Sequence, residues 1–567
     1  MALLILASLS GARAQSPSPG DVNQLLLQQR QILQQQEERR QRELEKLREG
    51  RAPKKMDRAP DDAPPALNGK CARVNKIVFD GAELLADDTR KALQKPFAGS
   101  CMSIVDIGAL VRAVTNWYVD QGYVTARAYP PEQDLSKAIL TIRVIEGRTE
   151  SVEIFENGEP RQGANTAFPE LVGNRLYIRD LEQGLDQINR LPSHDATIRL
   201  EEGGKDGYSR VRVDTRKAPF PFATTAIDNS GLTSTGELQA GSSVYLDDVF
   251  GLYDSWVLSY KSSDMFYEGQ KASKEFTASV SLPYGYWTLL LSGSYFDYRT
   301  RLIGETATFK SDGLSRYYTA ELDRVLHRDR DSKTRLTGFI NFKDTENFIE
   351  DVRLETGSRK LNVTGLRLSH DQRTFDGLLN ASISGHKGVP IFGSLSDDDS
   401  LPGSPVAAFS KVSAEVGFYR PFTVDEFSLA WNAKAYGQWS HQDLFSTEQI
   451  SLGSQFTVRG FKDQSLSGDT GAYVRNELIW MMHNFLPEET KPYLGRLDLF
   501  AAYDAGWLKD DKLDPFEQGS VSGIAVGGRV SGGHLFGEVA FEKPLDAPEF
   551  IDEQGLFRLH AGVSLKW

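Results

Sequence analysis

Phe557-Arg-Leu-His-Ala-Gly-Val-Ser-Leu-Lys-Trp567 is the stretch on which the fold turns. Phe557, Leu559, Ala561, Val563, Leu565 and Trp567 share one parity, and Arg558, His560, Gly562, Ser564 and Lys566 share the other. Period-2 alternation of this kind makes a strand with one oily and one wet face. Roughly 9 to 11 residues is what a tilted strand needs to cross a bilayer, and a last aromatic suits the interfacial girdle of a spanning barrel.

The pattern recurs upstream. Leu497, Leu499, Ala501, Tyr503, Ala505 and Trp507 alternate with a parity that carries Arg496, Asp498 and Asp504, and similar dyads run through 256–260, 276–282, 287–295, 412–418 and 427–439. Sheets with one aromatic-rich face and one polar face need closure to satisfy their edges, so the expectation is a barrel with a wet lumen. The 349 residues of 219–567, at about 22 residues per strand and connection, accommodate about 16 antiparallel strands. The chain has 567 residues, 50 of them Gly, with 10% aromatics. It has no apolar run of about 18 residues, which excludes a helical membrane protein. A net charge of −13 argues against a nucleic-acid partner, whose phosphates it would repel.

Residues 1–14 read as a signal peptide: 3–9 is apolar and Ala12-Arg13-Ala14 fits a small-x-small cleavage site, although a basic start is missing. Export suits the two cysteines, Cys71 and Cys101, for which one disulfide is preferred to a redox or metal pair; such a loop closure contributes roughly 3 to 4 kcal/mol. Segment 15–50 is Gln-, Arg- and Glu-rich. Its stretch 21–49, without Gly or Pro, reads as a helix roughly 43 Å long and polar nearly all round, suited to water or a polar tunnel. Residues 51–70 are a Pro-rich linker.

Two βααββ units follow. In 71–148, strands at 74–79, 125–129 and 138–146 accompany a helical stripe of Ile107, Leu110, Val111, Val114, Trp117 and Tyr118. In 149–218 the order repeats, with strands at 151–155, 196–200 and 208–217, a short helix near 168–171, and a helix at 179–191 whose Leu181, Leu185 and Ile188 point inward.

Three stretches resemble one family. Tyr118-Val-Asp-Gln-Gly-Tyr-Val-Thr-Ala-Arg-Ala-Tyr-Pro-Pro-Glu-Gln-Asp134 with Ile142-Arg-Val-Ile-Glu-Gly147 looks like the end of a polypeptide-transport-associated (POTRA) domain, and 171–193 looks like part of a second. Phe456-Thr-Val-Arg-Gly-Phe461, with Gly468-Asp469 and Asn476-Glu477 after it, resembles the inward-folded loop of the two-partner-secretion translocators (TpsB; ShlB/FhaC/HecB), relatives of the barrel-assembly insertases. The resemblance implies a Gram-negative outer-membrane β-barrel of about 16 strands, two periplasmic POTRA domains and an N-terminal helix that plugs the pore. Pro283-Tyr284-Gly285, Lys137-Ala138 and Glu201-Glu202-Gly203 depart locally from the family's turn sequences.

It also assigns roles. Some 30 residues between Ser440 and Ala472 show no strand pattern, and connections that long are usually functional or disordered. They carry Val458, Arg459, Gly460 and Phe461. The resemblance places this motif in the lumen, with Arg459 paired to Asp504 of Tyr503-Asp504-Ala505-Gly506 on the barrel wall, Gly506 alongside, Gly460 bending the backbone and Phe461 anchoring the tip. Arg529, after Gly527-Gly528, is either a lumen charge or part of a barrel-corner glycine pair. Client binding is expected on the second POTRA helix, at Arg179, Leu181, Glu182, Leu185 and Asn189, and at exposed sheet edges.

No Walker loop, nucleophile elbow or metal-protease signature occurs, so an enzyme, a cofactor and a metal are not expected. The implied partners are an unfolded TpsA-type exoprotein, haemolysin, adhesin or contact-dependent toxin, together with outer-membrane lipid and the barrel-assembly machinery that inserts the barrel. The alternatives are an insertase, disfavoured by only two POTRA units and a plug-like helix, and a passive porin, which has no use for residues 71–217.

Overall fold

A computed structural model describes residues 71–567 apart from 162, 164, 219–220, 268, 270, 304–307, 400–404, 483–485, 510–517, 552–557 and 567. The leader expected at 1–14, the plug helix at 15–50 and the linker at 51–70 lie outside the described residues.

The first unit builds a three-stranded sheet in which Lys76–Asp80 runs parallel to Ile139–Ile145, and Arg127–Tyr129 pairs with the latter antiparallel. Helix Ile104–Asp120 starts at a capping box of Ser103 and Asp106. That arrangement satisfies donors the first turn would otherwise leave unpaired. Its stripe of Leu110, Val114 and Tyr118 is buried on Ile77, Phe79, Leu140 and Ile142. Cys71 and Cys101 are bonded, with Cα atoms 5.3 Å apart, and tie the entering chain to the start of this helix. Ala138 adopts φ +53°, a left-handed conformation that glycine takes freely and alanine at about 1 to 2 kcal/mol.

In the second unit, strands Glu159–Pro160, Arg148–Glu156, Tyr208–Lys217 and His194–Glu202 lie side by side in that order, under helix Ile178–Asn189. The helix expected near 168–171 is absent: the backbone there forms bends and turns. The Asn165 side chain accepts the Phe168 N–H at 3.1 Å, and the Phe168 ring slides beneath Gly184, where a Cβ would lie 2.0 Å from it. A turn of helix would withdraw that ring.

From Phe222 onward, antiparallel segments close into one barrel, with Thr224 to Asp228 of the first strand paired to Lys566 to Gly562 of the last. The two-residue segment Val352–Arg353 is the outer tip of strand Arg359–Thr374, since both pair with Ser332–Ile349, so sixteen strands span. Leu499, Tyr503 and Trp507 are exposed on the outer face, while Asp498 and Asp504 on the opposite parity are buried inside. Exposed Val563 and Leu565 of Arg558–Lys566 continue the same outer band. No helix among the described residues is long and apolar enough to cross a membrane.

Candidate functional site in the barrel lumen

The connection 441–470 does not stay outside the barrel. It begins with a 3-10 turn at Ser446–Glu448, forms a small hairpin of Ile450–Leu452 and Leu466–Gly468, and presents Val458 to Phe461 at its tip. The hairpin is a strand pair where the sequence suggested none; its three-residue arms are too short to show periodicity. Val458 and Phe461 are buried with Ile450, Leu452 and Leu466 of the loop and Tyr473, Leu508 and Val521 of the wall, an apolar plug inside a polar lumen.

Glycines set how closely the tip approaches. Gly460 has φ +101°, and a Cβ there would lie 2.6 Å from the Lys543 carbonyl carbon and the Pro544 nitrogen. On the wall, a Cβ at Gly523 would lie 1.9 Å from the Arg459 carbonyl oxygen, and one at Gly506 would lie 3.1 Å from Leu452. The backbone can rest against the strand only because these side chains are missing.

That approach delivers Arg459 to two carboxylates. Its Nε and Nη2 donate to Asp504 at 2.6 and 2.9 Å, its Nη1 donates to Glu477 at 2.9 Å, and its backbone N–H donates to Asp504 at 3.2 Å. Arg529 faces the lumen and donates to the other Glu477 oxygen at 2.7 Å and to Glu538 at 3.1 Å. Arg475 lies 3.7 Å from Asp504 and donates to the Phe456 carbonyl, and Glu542 accepts the Gly460 N–H at 3.1 Å. The side chains of Arg459 and Asp504 are 6% and 1% exposed. The pair therefore belongs to the buried class, in which removing one partner costs about 3 to 5 kcal/mol, rather than the exposed class at about 0 to 1. Glu477, Glu542 and Gly523 carry as much of this geometry as Asp504. Glu477 stood beside the motif in sequence, whereas Glu542 and Gly523 are recognisable only once strands 535–546 and 519–532 are known to face the tip.

At the opposite mouth, helix Ile178–Asn189 lies on the barrel rim. Gln183 and Gln187 both donate to the Gly285 carbonyl, at 3.1 and 3.0 Å, and Arg328 donates to Asp186 at 2.6 Å and to Gln183 at 3.2 Å. The Tyr286 hydroxyl donates to Asp180 at 2.7 Å; burial holds the Asp180 carboxyl above its usual range. Arg190 donates to the Tyr253 carbonyl, and burial pushes its guanidinium down to about 10. His194, buried beside Ser193, is held below the ordinary histidine range by burial and then by Lys217.

The residues expected to meet a client already have partners within the chain. Leu181 and Leu185 are core residues of the second unit. Arg179 pairs with Glu182 at 2.8 Å, and Glu182 also faces Arg328 of the barrel at 3.4 Å. Asn189 is committed to the edge strand, accepting the Ala196 N–H at 2.6 Å and donating to its carbonyl at 3.2 Å. Leu181 and Leu185 thus face the core of the unit, while Arg179, Glu182 and Asn189 lie on another face and stay partly exposed.

Comparison with known proteins agrees with the geometry. The family described as haemolysin secretion/activation protein ShlB/FhaC/HecB matches residues 207–530, a ShlB-type POTRA domain matches 72–147, and a POTRA domain matches 148–201. The outer membrane transporter CdiB of Dickeya dadantii is 35% identical over 97% of this chain and 96% of its own length. The haemolysin transporter ShlB of Serratia marcescens is 31% identical over 74% of each. The solved structure of CdiB from Escherichia coli superposes with a TM-score of 0.83 at 33% identity, covering 98% of this chain and all of that one. The chain belongs to the ShlB/FhaC/HecB family of haemolysin secretion/activation proteins.

Proposed function

We propose that the protein is the outer-membrane transporter of a two-partner secretion system, taking an unfolded TpsA-type exoprotein from the periplasm through its barrel to the cell surface. The observation that carries this reading is a lumen stoppered by its own chain: loop 441–470, seated by an apolar plug and by the Arg459, Asp504 and Glu477 network. Between that loop and the second POTRA domain lies a cavity of about 1060 Å³, lined among others by Gln187, Arg328, Arg367, Lys434 and Arg475. It is the size of a small-ligand site, too small for a folded domain, so a client passes as extended chain and only after the loop shifts.

Val458, Arg459, Gly460 and Phe461, with Asp504 and Gly506, form the part that holds the loop and releases it. Client capture falls to sheet edges rather than to the docked helix. On His194–Glu202, Asn189 already occupies the outward backbone of Ala196, and alternation turns Ile198 and Leu200 the same way, ready for an added strand. The work is carriage rather than catalysis, and folding of the client outside makes return unfavourable. Outer-membrane lipid bathes the outer aromatic band, and the barrel-assembly machinery inserts the barrel.

The test is deletion of residues 71–217. A transporter of this kind keeps an inserted, heat-modifiable barrel and loses export of its exoprotein. Undiminished export by the truncated barrel refutes the reading.

A further inference from the structure

Glu448 sits in the 3-10 turn at the start of the lumen loop, and its surroundings invert those of Arg459. Its carboxylate lies 2.7 Å from the Lys343 ammonium and 3.0 Å from the Lys411 ammonium. Lys411 also donates to the Glu448 carbonyl at 2.6 Å, Lys343 to the Thr447 carbonyl at 3.1 Å, and Gln438 to the Glu448 carbonyl at 2.9 Å. The Glu448, Lys343 and Lys411 side chains are 3, 5 and 8% exposed. The lysines come from strands Ser332–Ile349 and Ser410–Val424, while the carboxylates that hold Arg459 come from Gly471–Met482 and Gly495–Leu508.

We infer that Glu448 is a second positioning residue of the transporter, pinning the root of the lumen loop to two wall lysines as Arg459 pins its tip to two wall carboxylates. The inference rests on the transporter reading and adds to it a requirement: the loop opens only when two anchors of opposite sign let go. Two ammonium groups facing one carboxylate in a nearly dry pocket are held there by that carboxylate; without it they repel each other and seek water. The anchors hold different strands, so neither substitutes for the other. When the loop leaves, it uncovers Lys343 and Lys411 on one group of wall strands and Glu477 and Asp504 on a neighbouring group. An extended client of either charge then meets an attractive wall.

The test uses the full-length protein in outer membranes, with two readouts: protease nicking within 441–470 and export of the partner exoprotein. Glu448→Lys is expected to raise nicking about tenfold or more and to depress export while the barrel stays heat-modifiable. Adding Lys343→Glu and Lys411→Glu restores opposite charges and is expected to bring both readouts back toward wild type. Where Glu448→Lys does not insert, Glu448→Gln, similar in shape and uncharged, is read the same way. Wild-type nicking in whichever variant inserts overturns the inference, as does failure of the reversed set to recover. Failure of the wild-type protein to export any exoprotein refutes the transporter reading instead, and leaves the nicking result to decide the anchor.

Discussion

Two segments close the two ends of the barrel, and they are held by different physics. The loop 441–470 enters from the far side and is gripped by buried charges, Arg459 on Asp504 and Glu477, and by an apolar plug. The helix Ile178–Asn189 lies across the near mouth on neutral amide bonds from Gln183 and Gln187 to one carbonyl, with Arg328 as its principal charged tie. Buried ion pairs are all-or-none, because a half-broken pair leaves a stranded charge. Amide bonds to a carbonyl exchange readily for water at a net cost of about 1 kcal/mol each. The near mouth thus combines exchangeable amide bonds with buried pairs of its own, Arg328 with Asp186 and Arg161 with Asp248, whereas the loop tip is held chiefly by buried charges and apolar contacts, which suits it to switch.

That contrast can be broken at several points. The largest effect is expected from Asp504→Ala, which leaves Arg459 with Glu477 alone and destabilises the docked loop by about 3 to 5 kcal/mol; nicking within 441–470 should rise steeply while contacts at the near mouth stay intact. Arg328→Ala should do the reverse. It removes charged hydrogen bonds worth about 1.5 to 3 kcal/mol from the rim, so the second POTRA domain should lose hydrogen-exchange protection with no change in loop nicking. Gln187→Ala, losing neutral bonds, should shift the same protection by only about 0.5 to 1.5 kcal/mol.

A pH titration sharpens the comparison further. His194 begins the edge strand of the second POTRA domain, with its pKa depressed by burial. The folded form therefore prefers the neutral ring, and its contribution is complete above the unfolded value of about 6.5 and is lost as pH falls through the folded value. Acidification below about pH 6 should weaken this domain by up to roughly 1.4 kcal/mol per pH unit. His194→Gln should flatten that dependence.

How far the sequence showed all this differs between the two ends. Strand parity placed Asp504 inward and Tyr503 and Trp507 outward, because a two-residue period leaves only two choices and one face must meet lipid. The Arg459 motif was visible because it resembles a known loop. The partners Glu542, Lys343 and Lys411 were not visible: each is one polar residue on a lumen face full of them, and only closure of the barrel decides which meets the loop. The helix at 178–189 was legible as a helix, with its inward leucines. Its contact with the barrel rim was not legible, since nothing in an amphipathic pattern distinguishes a face that meets solvent from one that meets a barrel rim. The turn at Phe168 was lost for a related reason, a single ring whose place is set by Gly184 of another element.

The most direct measurement is export by Arg459→Ala in cells that make the partner exoprotein, read beside heat-modifiability of the barrel. With the loop as the switch, the barrel inserts as wild type and export falls to a small fraction. Wild-type export from that inserted barrel would contradict the account.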